Sequence, residues 1–112
     1  MSVGAVVATK GIYWMNIICF GDSNTYGYDP RGYFGGRYGA DSRWVDILAK
    51  GTGWTVRNMG QNGREIPTSA LPLPADTDLL IVMLGTNDLL QGRSPEQAVE
   101  RLERFLSGIS LE

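Results

Sequence analysis

Three short polar stretches hold residue types that could do chemistry: Gly21-Asp22-Ser23, Asn58-Met59-Gly60-Gln61-Asn62-Gly63 and Gly85-Thr86-Asn87-Asp88. A serine at a strand-to-helix turn can present its hydroxyl as a nucleophile. Backbone N–H groups and an asparagine amide nearby can donate to the oxyanion of a tetrahedral intermediate. Acyl transfer needs that set. One part is missing, because the 112 residues contain no histidine. No side chain then has an unperturbed pKa near 7, so a neutral-pH base has to be a carboxylate, an amine or a group from another chain. Asp22, Glu65 and Asp88 lie near these stretches, but a carboxyl with a pKa of about 4 is a poor base at pH 7 unless burial raises it. Asp22 and Asp88 are read as supports that orient the turns, without a proton-transfer role.

Each polar stretch follows an apolar run that can position it. Residues 16–20 (Asn-Ile-Ile-Cys-Phe) suit a strand buried on both faces, residues 54–59 are β-prone, and residues 78–84 form the most apolar stretch of the chain. Ser42 as N-cap and Gly51 as stop predict a helix over 43–50 with Trp44, Val45, Ile47 and Leu48 on one side. Residues 65–75 contain Pro67, Pro72 and Pro74, which leave room for one short helical turn in an otherwise extended connection. Ser94, Pro95 and Gln97 make a capping box with proline at the first helical position, and Ala98, Val99, Leu102, Phe105, Leu106 and Ile109 then repeat at helical spacing. Strands alternating with helical connections imply an α/β class with parallel pairing through right-handed crossovers, and sites at the C-terminal strand ends. There the three polar stretches converge.

The remaining segments are less regular. Residues 24–42 interleave six Gly or Pro with Tyr26, Tyr28, Tyr33, Phe34 and Tyr38, a long loop of the kind that is usually functional. Its aromatic rings either line an acyl or aryl pocket or pack as a cluster of their own. Arg64 either meets a substrate carbonyl or carboxylate or is solvated or paired with a surface acid. Residues 1–14 precede the patterned region and are read as a leader or extension, with the domain over 15–112. Val3–Ala8 is too short to span a bilayer and lacks the basic flank of a secretion signal.

Composition narrows the function classes. A 43% hydrophobic and 20% charged chain of 112 residues is enough for one globular domain, which at this size buries roughly 65% of its unfolded surface. The net charge of −2 is spread along the chain, which argues against a nucleic-acid partner. The chain is read as soluble and cytoplasmic, with no membrane partner. A single cysteine, Cys19, excludes an internal disulfide and any multi-cysteine metal site, and its place inside a strand makes it a small buried hydrophobe. Trp44 and Trp54 are core candidates. Neither the Gly-x-Gly-x-x-Gly nor the Walker pattern occurs, which sets nucleotide binding aside. No metal or organic cofactor is implied.

The stretches also resemble a family, the SGNH or GDSL-type hydrolases, whose four blocks carry a Ser, a Gly, an Asn and a His. Residues 20–27 (Phe-Gly-Asp-Ser-Asn-Thr-Tyr-Gly) resemble the nucleophile block, with Asn24 where many members have leucine. Gly60 matches the glycine whose N–H joins the oxyanion hole, and Gly85-Thr86-Asn87-Asp88 matches the block whose Asn donates its amide. The resemblance covers about residues 16–109 and implies Ser23 as nucleophile with Ser23, Gly60 and Asn87 forming the hole. Asp41-x-Arg43-Trp44 and Asn62-Gly63-Arg64 look like the arylesterase and acyltransferase subgroup related to acyl-CoA thioesterases, which often forms homo-oligomers.

The fourth block, an Asp-x-x-His, is absent, so the implied triad is incomplete. The family resembles a three-layer, flavodoxin-like fold with strand order 2-1-3-4-5, and this chain is expected to supply strands 2-1-3 as an N-terminal portion. The open edge beyond its third strand should then be exposed and favour association. The implied activity is hydrolysis of a small carboxylic ester or thioester through an acyl-enzyme at Ser23. The alternative is a catalytically incomplete fragment or a ligand-binding module that keeps the oxyanion pocket without a base.

Overall fold

The three apolar runs become the parallel strands of one sheet. A computed structural model of the protein describes residues 3–8, 14–32 and 35–112, so Tyr33 and Phe34 of the glycine-rich loop lie outside the described residues. In chain order the strands are β1 (Val3–Ala8), β2 (Asn16–Gly21), β3 (Thr55–Gly60), β4 (Pro72–Leu73), β5 (Leu79–Leu84) and β6 (Ser110–Leu111). The helices are α1 (Ser23–Tyr26), α2 (Trp44–Thr52), α3 (Thr86–Leu90) and α4 (Pro95–Ser107), with a 3₁₀ turn at Ala40–Ser42 before α2. Strand order in the main sheet is β1-β5-β2-β3, and β2 runs parallel to both β3 and β5. This is the expected 2-1-3 parallel arrangement, with β1 added.

Because successive side chains on a strand point to opposite faces, β2 feeds two cores. Ile18 and Phe20 join Leu80, Val82 and Leu84 of β5 under Ala98, Leu102 and Phe105 of α4. The Phe20 and Phe105 rings stack at 5.4 Å. Ile17 and Cys19 face the other way, with Met15 and Val45 buried and Trp44, Leu48 and Trp54 packed against them. Cys19 is fully buried, and burial pushes its thiol up to about 12.

The strongest sequence signal gives the best-formed terminus. At α4, Ser94 Oγ accepts from Gln97 N at 3.1 Å and Gln97 Oε1 accepts from Ser94 N at 2.8 Å. The α2 boundaries differ from expectation. Ser42 closes the 3₁₀ turn and Arg43 takes the cap position without a side-chain capping bond, its guanidinium pairing instead with Asp46. The helix runs past Gly51 because Gly53, at φ 73°, is the residue that adopts the left-handed stop. Residues 65–75 contain no helical turn; they run extended into β4, which pairs in parallel with β6.

The edge of β5 expected to stay open is filled. β1 lies antiparallel along it, from Val3 opposite Leu84 to Ala8 opposite Leu79. Part of the segment read as a leader or extension thus completes a four-stranded sheet, and its backbone groups occupy the ladder that an exposed edge would have left unpaired. No helix among the described residues is long and apolar enough to cross a membrane.

Candidate active site

The register of the sheet brings the polar stretches together. Gly21, at the end of β2, pairs with Gly60 on one side and Met83 on the other. Ser23, the 61–64 loop and Asn87 therefore leave three adjacent strands at the same end of the sheet.

The turn that carries Ser23 is built by its neighbours. Asp22, fully buried, caps α1: its Oδ1 accepts from Asn24 N at 3.0 Å, and its carbonyl accepts from Thr25 N at 3.1 Å and Tyr26 N at 2.9 Å. Gly27, at φ 92°, ends α1 after one turn and returns its N–H to Ser23 O at 2.8 Å. This short helix then presses against two strand ends. A Cβ on Gly21 would lie 2.8 Å from Met83 O and closer still to Thr25 Oγ1; one on Gly60 would lie 2.7 Å from Tyr26 Cα and 2.8 Å from Thr25 C. Asn58 fastens the same contact, donating from Nδ2 to Thr25 O at 2.8 Å while its Oδ1 accepts from Gly60 N at 2.8 Å.

That last bond bears on the donor role the resemblance implies for Gly60. Its N–H is committed to Asn58, and what its lack of a side chain provides is close approach of α1. In the sequence Gly63 stands out only as part of a motif and is given no role of its own. It sits at φ 77° in open space, and its N–H, like that of Ser23, has no protein acceptor among the described residues. The Asn62-Gly63 pair is the signal that could have marked this left-handed turn position.

Asn87 lies on α3, which starts at Gly85, a residue at φ 122° that only glycine adopts readily. Its Nδ2 donates to Arg64 O at 3.1 Å. A primary amide has two N–H donors, so one remains for another acceptor. The next residue, Asp88, is fully buried. Its Oδ1 accepts from Ile66 N at 2.9 Å and its Oδ2 from Arg101 Nε at 3.2 Å, pinning α3 to the 64–66 segment and to α4. Arg93 makes a close ion pair with Glu65 beside it.

Arg64 takes neither role left open by the sequence. Its guanidinium donates to Met59 O at 2.5 Å, Gly21 O at 3.4 Å and Gln61 Oε1 at 2.8 Å, and burial lowers its pKa from the usual arginine value. In the glycine-rich loop, the described tyrosines at 26 and 38 pair with the loop's own cations. Arg37 lies over Tyr26 at 4.5 Å and Arg31 over Tyr38 at 5.2 Å. Tyr28 bridges Arg37 across the loop and Tyr38 N donates to Gly27 O at 2.7 Å, so this part packs as its own cluster. A cavity of about 180 Å³ beside α4, lined by Pro67, Ala70, Arg101, Phe105 and Gly108, includes none of Ser23, Gly63 and Asn87.

The serine on a tight turn after β2 and the asparagine after the parallel neighbour β5 stand where the SGNH class of hydrolases has them. The chain belongs to the GDSL-like lipase/acylhydrolase family, whose model matches residues 19–111. Among solved structures it is similar to a carbohydrate acetylesterase family member from Sinorhizobium meliloti, at 24% identity and a TM-score of 0.64, over 83% of this chain and 52% of that one. It is also similar to the native aryl esterase of M. smegmatis, at 23% identity and a TM-score of 0.64, over 84% of this chain and 54% of that one. The chain thus spans about half the length of the structures it matches. No curated protein sequence matches it.

Proposed function

We propose that the chain carries the nucleophile and oxyanion side of a serine hydrolase acting on small carboxylic esters or thioesters. Ser23 Oγ bonds to the carbonyl carbon and the carbonyl π pair moves onto oxygen. The oxyanion then collapses and expels the alcohol or thiol, which leaves with a proton, and water releases the acyl group from Ser23. The donors to the oxyanion are the N–H groups of Ser23 and Gly63 and the second N–H of Asn87. Gly60, read from the sequence as a donor, seats α1 instead. The observation that carries this reading is the seating of the Ser23 turn. Two glycines admit α1 against the strand ends so closely that no side chain fits, and the Asn58 amide fastens it there.

With no histidine in the chain, the Ser23 proton goes to solvent or to a base on another polypeptide. The serine-protease precedent leaves roughly 10³–10⁴-fold acceleration over water when a triad member is lost. The same absence favours a second reading, a ligand-binding module without turnover. A fluorophosphonate separates serine reactivity from turnover: the Oγ–P bond forms, the P–F bond breaks, and fluoride and the serine proton pass to solvent. The expected result is a single adduct on the peptide holding Ser23, absent in Ser23→Ala, with slow p-nitrophenyl acetate hydrolysis that disappears in the same variant. An adduct without hydrolysis selects the binding module. No adduct on Ser23 in folded protein refutes both the nucleophile and its activation.

A further inference from the structure

We infer that Arg64 is the positioning residue of this site: its guanidinium anchors the loop after β3, and its carbonyl aims the Asn87 amide. The inference rests on the reading of Ser23 and Asn87 above and adds a residue through which that reading works.

The guanidinium lies over the Phe20 ring, with Cζ 4.0 Å from the centroid. From there its fork reaches carbonyls at the ends of two strands, the last one of β2 (Gly21 O) and the last but one of β3 (Met59 O), and the Gln61 side chain. No carboxylate forms an ion pair with it among the described residues. A half-buried cation satisfied by neutral carbonyls is costly to place, so the geometry of those bonds, not charge neutralisation, is what the arrangement retains. A planar fork that stacks and donates in several directions is specific to arginine, because a lysine offers only a point charge. The loop is closed from its other end by Arg64 N donating to Gln61 O at 3.2 Å. Together these bonds fix the Arg64 peptide at the sheet end.

That peptide is what Asn87 reads. Its carbonyl accepts one Asn87 N–H at 3.1 Å. An amide side chain has two flip states, and only the one with nitrogen toward Arg64 O makes this bond, so the carbonyl decides which way the remaining N–H points. Gly63, the other donor of the loop, precedes Arg64 directly. One arginine thereby sets both donors that this loop and α3 contribute to an oxyanion.

The test is an NMR measurement on the 112-residue chain. The Asn87 side-chain NH₂ pair is assigned by its loss in Asn87→Ala and followed in Arg64→Ala and Arg64→Lys. In the wild type one proton of the pair should exchange slowly. In both Arg64 variants the pair should move to the shifts of a solvated amide and exchange fast, while cooperative melting persists. If Arg64→Ala fails to fold, Arg64→Lys carries the comparison. The second arm is the rate of Ser23 phosphonylation. Loss of an oxyanion donor costs about 10²–10³-fold in serine hydrolases, so Arg64→Ala should slow labelling by roughly tenfold or more. In an Asn87→Ala background the same change should cost several-fold less than in the wild type, because the Asn87 share of the penalty is already lost and only the Gly63 share remains. An unchanged Asn87 pair in folded Arg64→Ala, additive penalties, or full restoration by Arg64→Lys overturns the inference. If wild-type Ser23 takes no label, the nucleophile reading fails on its own, and the Asn87 signals still decide the part played by Arg64.

Discussion

Replacing Gly60 with alanine places one methyl group where the structure has no room. Its Cβ would sit 2.7 Å from Tyr26 Cα, whereas ordinary contacts begin at 3.4 Å. The neighbours are backbone atoms of α1, with Tyr26 N nearer still, so no rotamer change relieves the clash, and α1 must move by more than about 0.7 Å. Gly60 does not have a positive φ, so the cost is steric alone. Overpacking of this kind costs about 1–3 kcal/mol, and at this chain length that lowers Tm by roughly 5–15 °C. Because Ser23 rides on α1, and a 1 Å misplacement can cost about 10²-fold in rate, Ser23 phosphonylation should slow by more than tenfold. Gly53→Ala, at the end of α2 and outside the oxyanion donors, is the control. It meets open space at a positive φ, so it should cost about 1–2 kcal/mol in backbone strain and leave α1 in place. Thermal melts and labelling rates of the two variants test the argument. If Gly60→Ala melts within about 1 °C of wild type with unchanged labelling, the close-approach explanation for this glycine is wrong.

Two further outcomes follow from buried groups. Asp88→Ala leaves Ile66 N–H and Arg101 Nε without their acceptor, while Arg101 Nη2 keeps Ile66 O. It should therefore lower urea stability by about 1–3 kcal/mol, and Asp88→Asn should lower it less, because one oxygen remains; a loss under about 0.5 kcal/mol in the alanine variant would refute the role given to this carboxylate. Cys19 titrates near 9.0 when unfolded and is pushed up to about 12 when folded. Between those values the unfolded state holds fewer protons, so stability should fall with rising pH by up to about 1.4 kcal/mol per unit. Below pH 9 this contribution is constant. Urea midpoints of wild type and Cys19→Ala from pH 8 to 11 should diverge only above pH 9, and parallel curves would show the thiol is not protected.

The legible parts of the fold were those with local signals. The continuous apolar runs at residues 16–20 and 78–84 marked β2 and β5 because strands buried on both faces need no alternation, and Ser94, Pro95 and Gln97 announced α4 through bonds within four residues. α1 and α3 are each about one turn long, too short for a period to show. β1 escaped because its pairing partner lies far along the chain. At the site, Ser23 and Asn87 could be placed from the strand ends they follow. The function of Gly60 could not, since it depends on where α1 lands, although Asn58 two residues earlier is a spacing that favours a side-chain bond to the Gly60 N–H. The part played by Arg64 is hidden for a similar reason: two of its acceptors are backbone carbonyls, one of them far along the chain, and these carry no residue-type signature.

The pairing of β1 with β5 also sets a timetable. Val3 pairs with Leu84, so during synthesis at about 5–20 residues per second the first strand waits roughly 4–16 seconds for its partner to be made. The waiting segment, Val-Gly-Ala-Val-Val-Ala, has no charge and no proline, the composition that pairs readily with copies of itself on neighbouring nascent chains. The yield of folded protein from a crowded polysome is therefore governed by how that hexapeptide is shielded before β5 emerges, and the strand that finishes the sheet is also its main hazard on the way there.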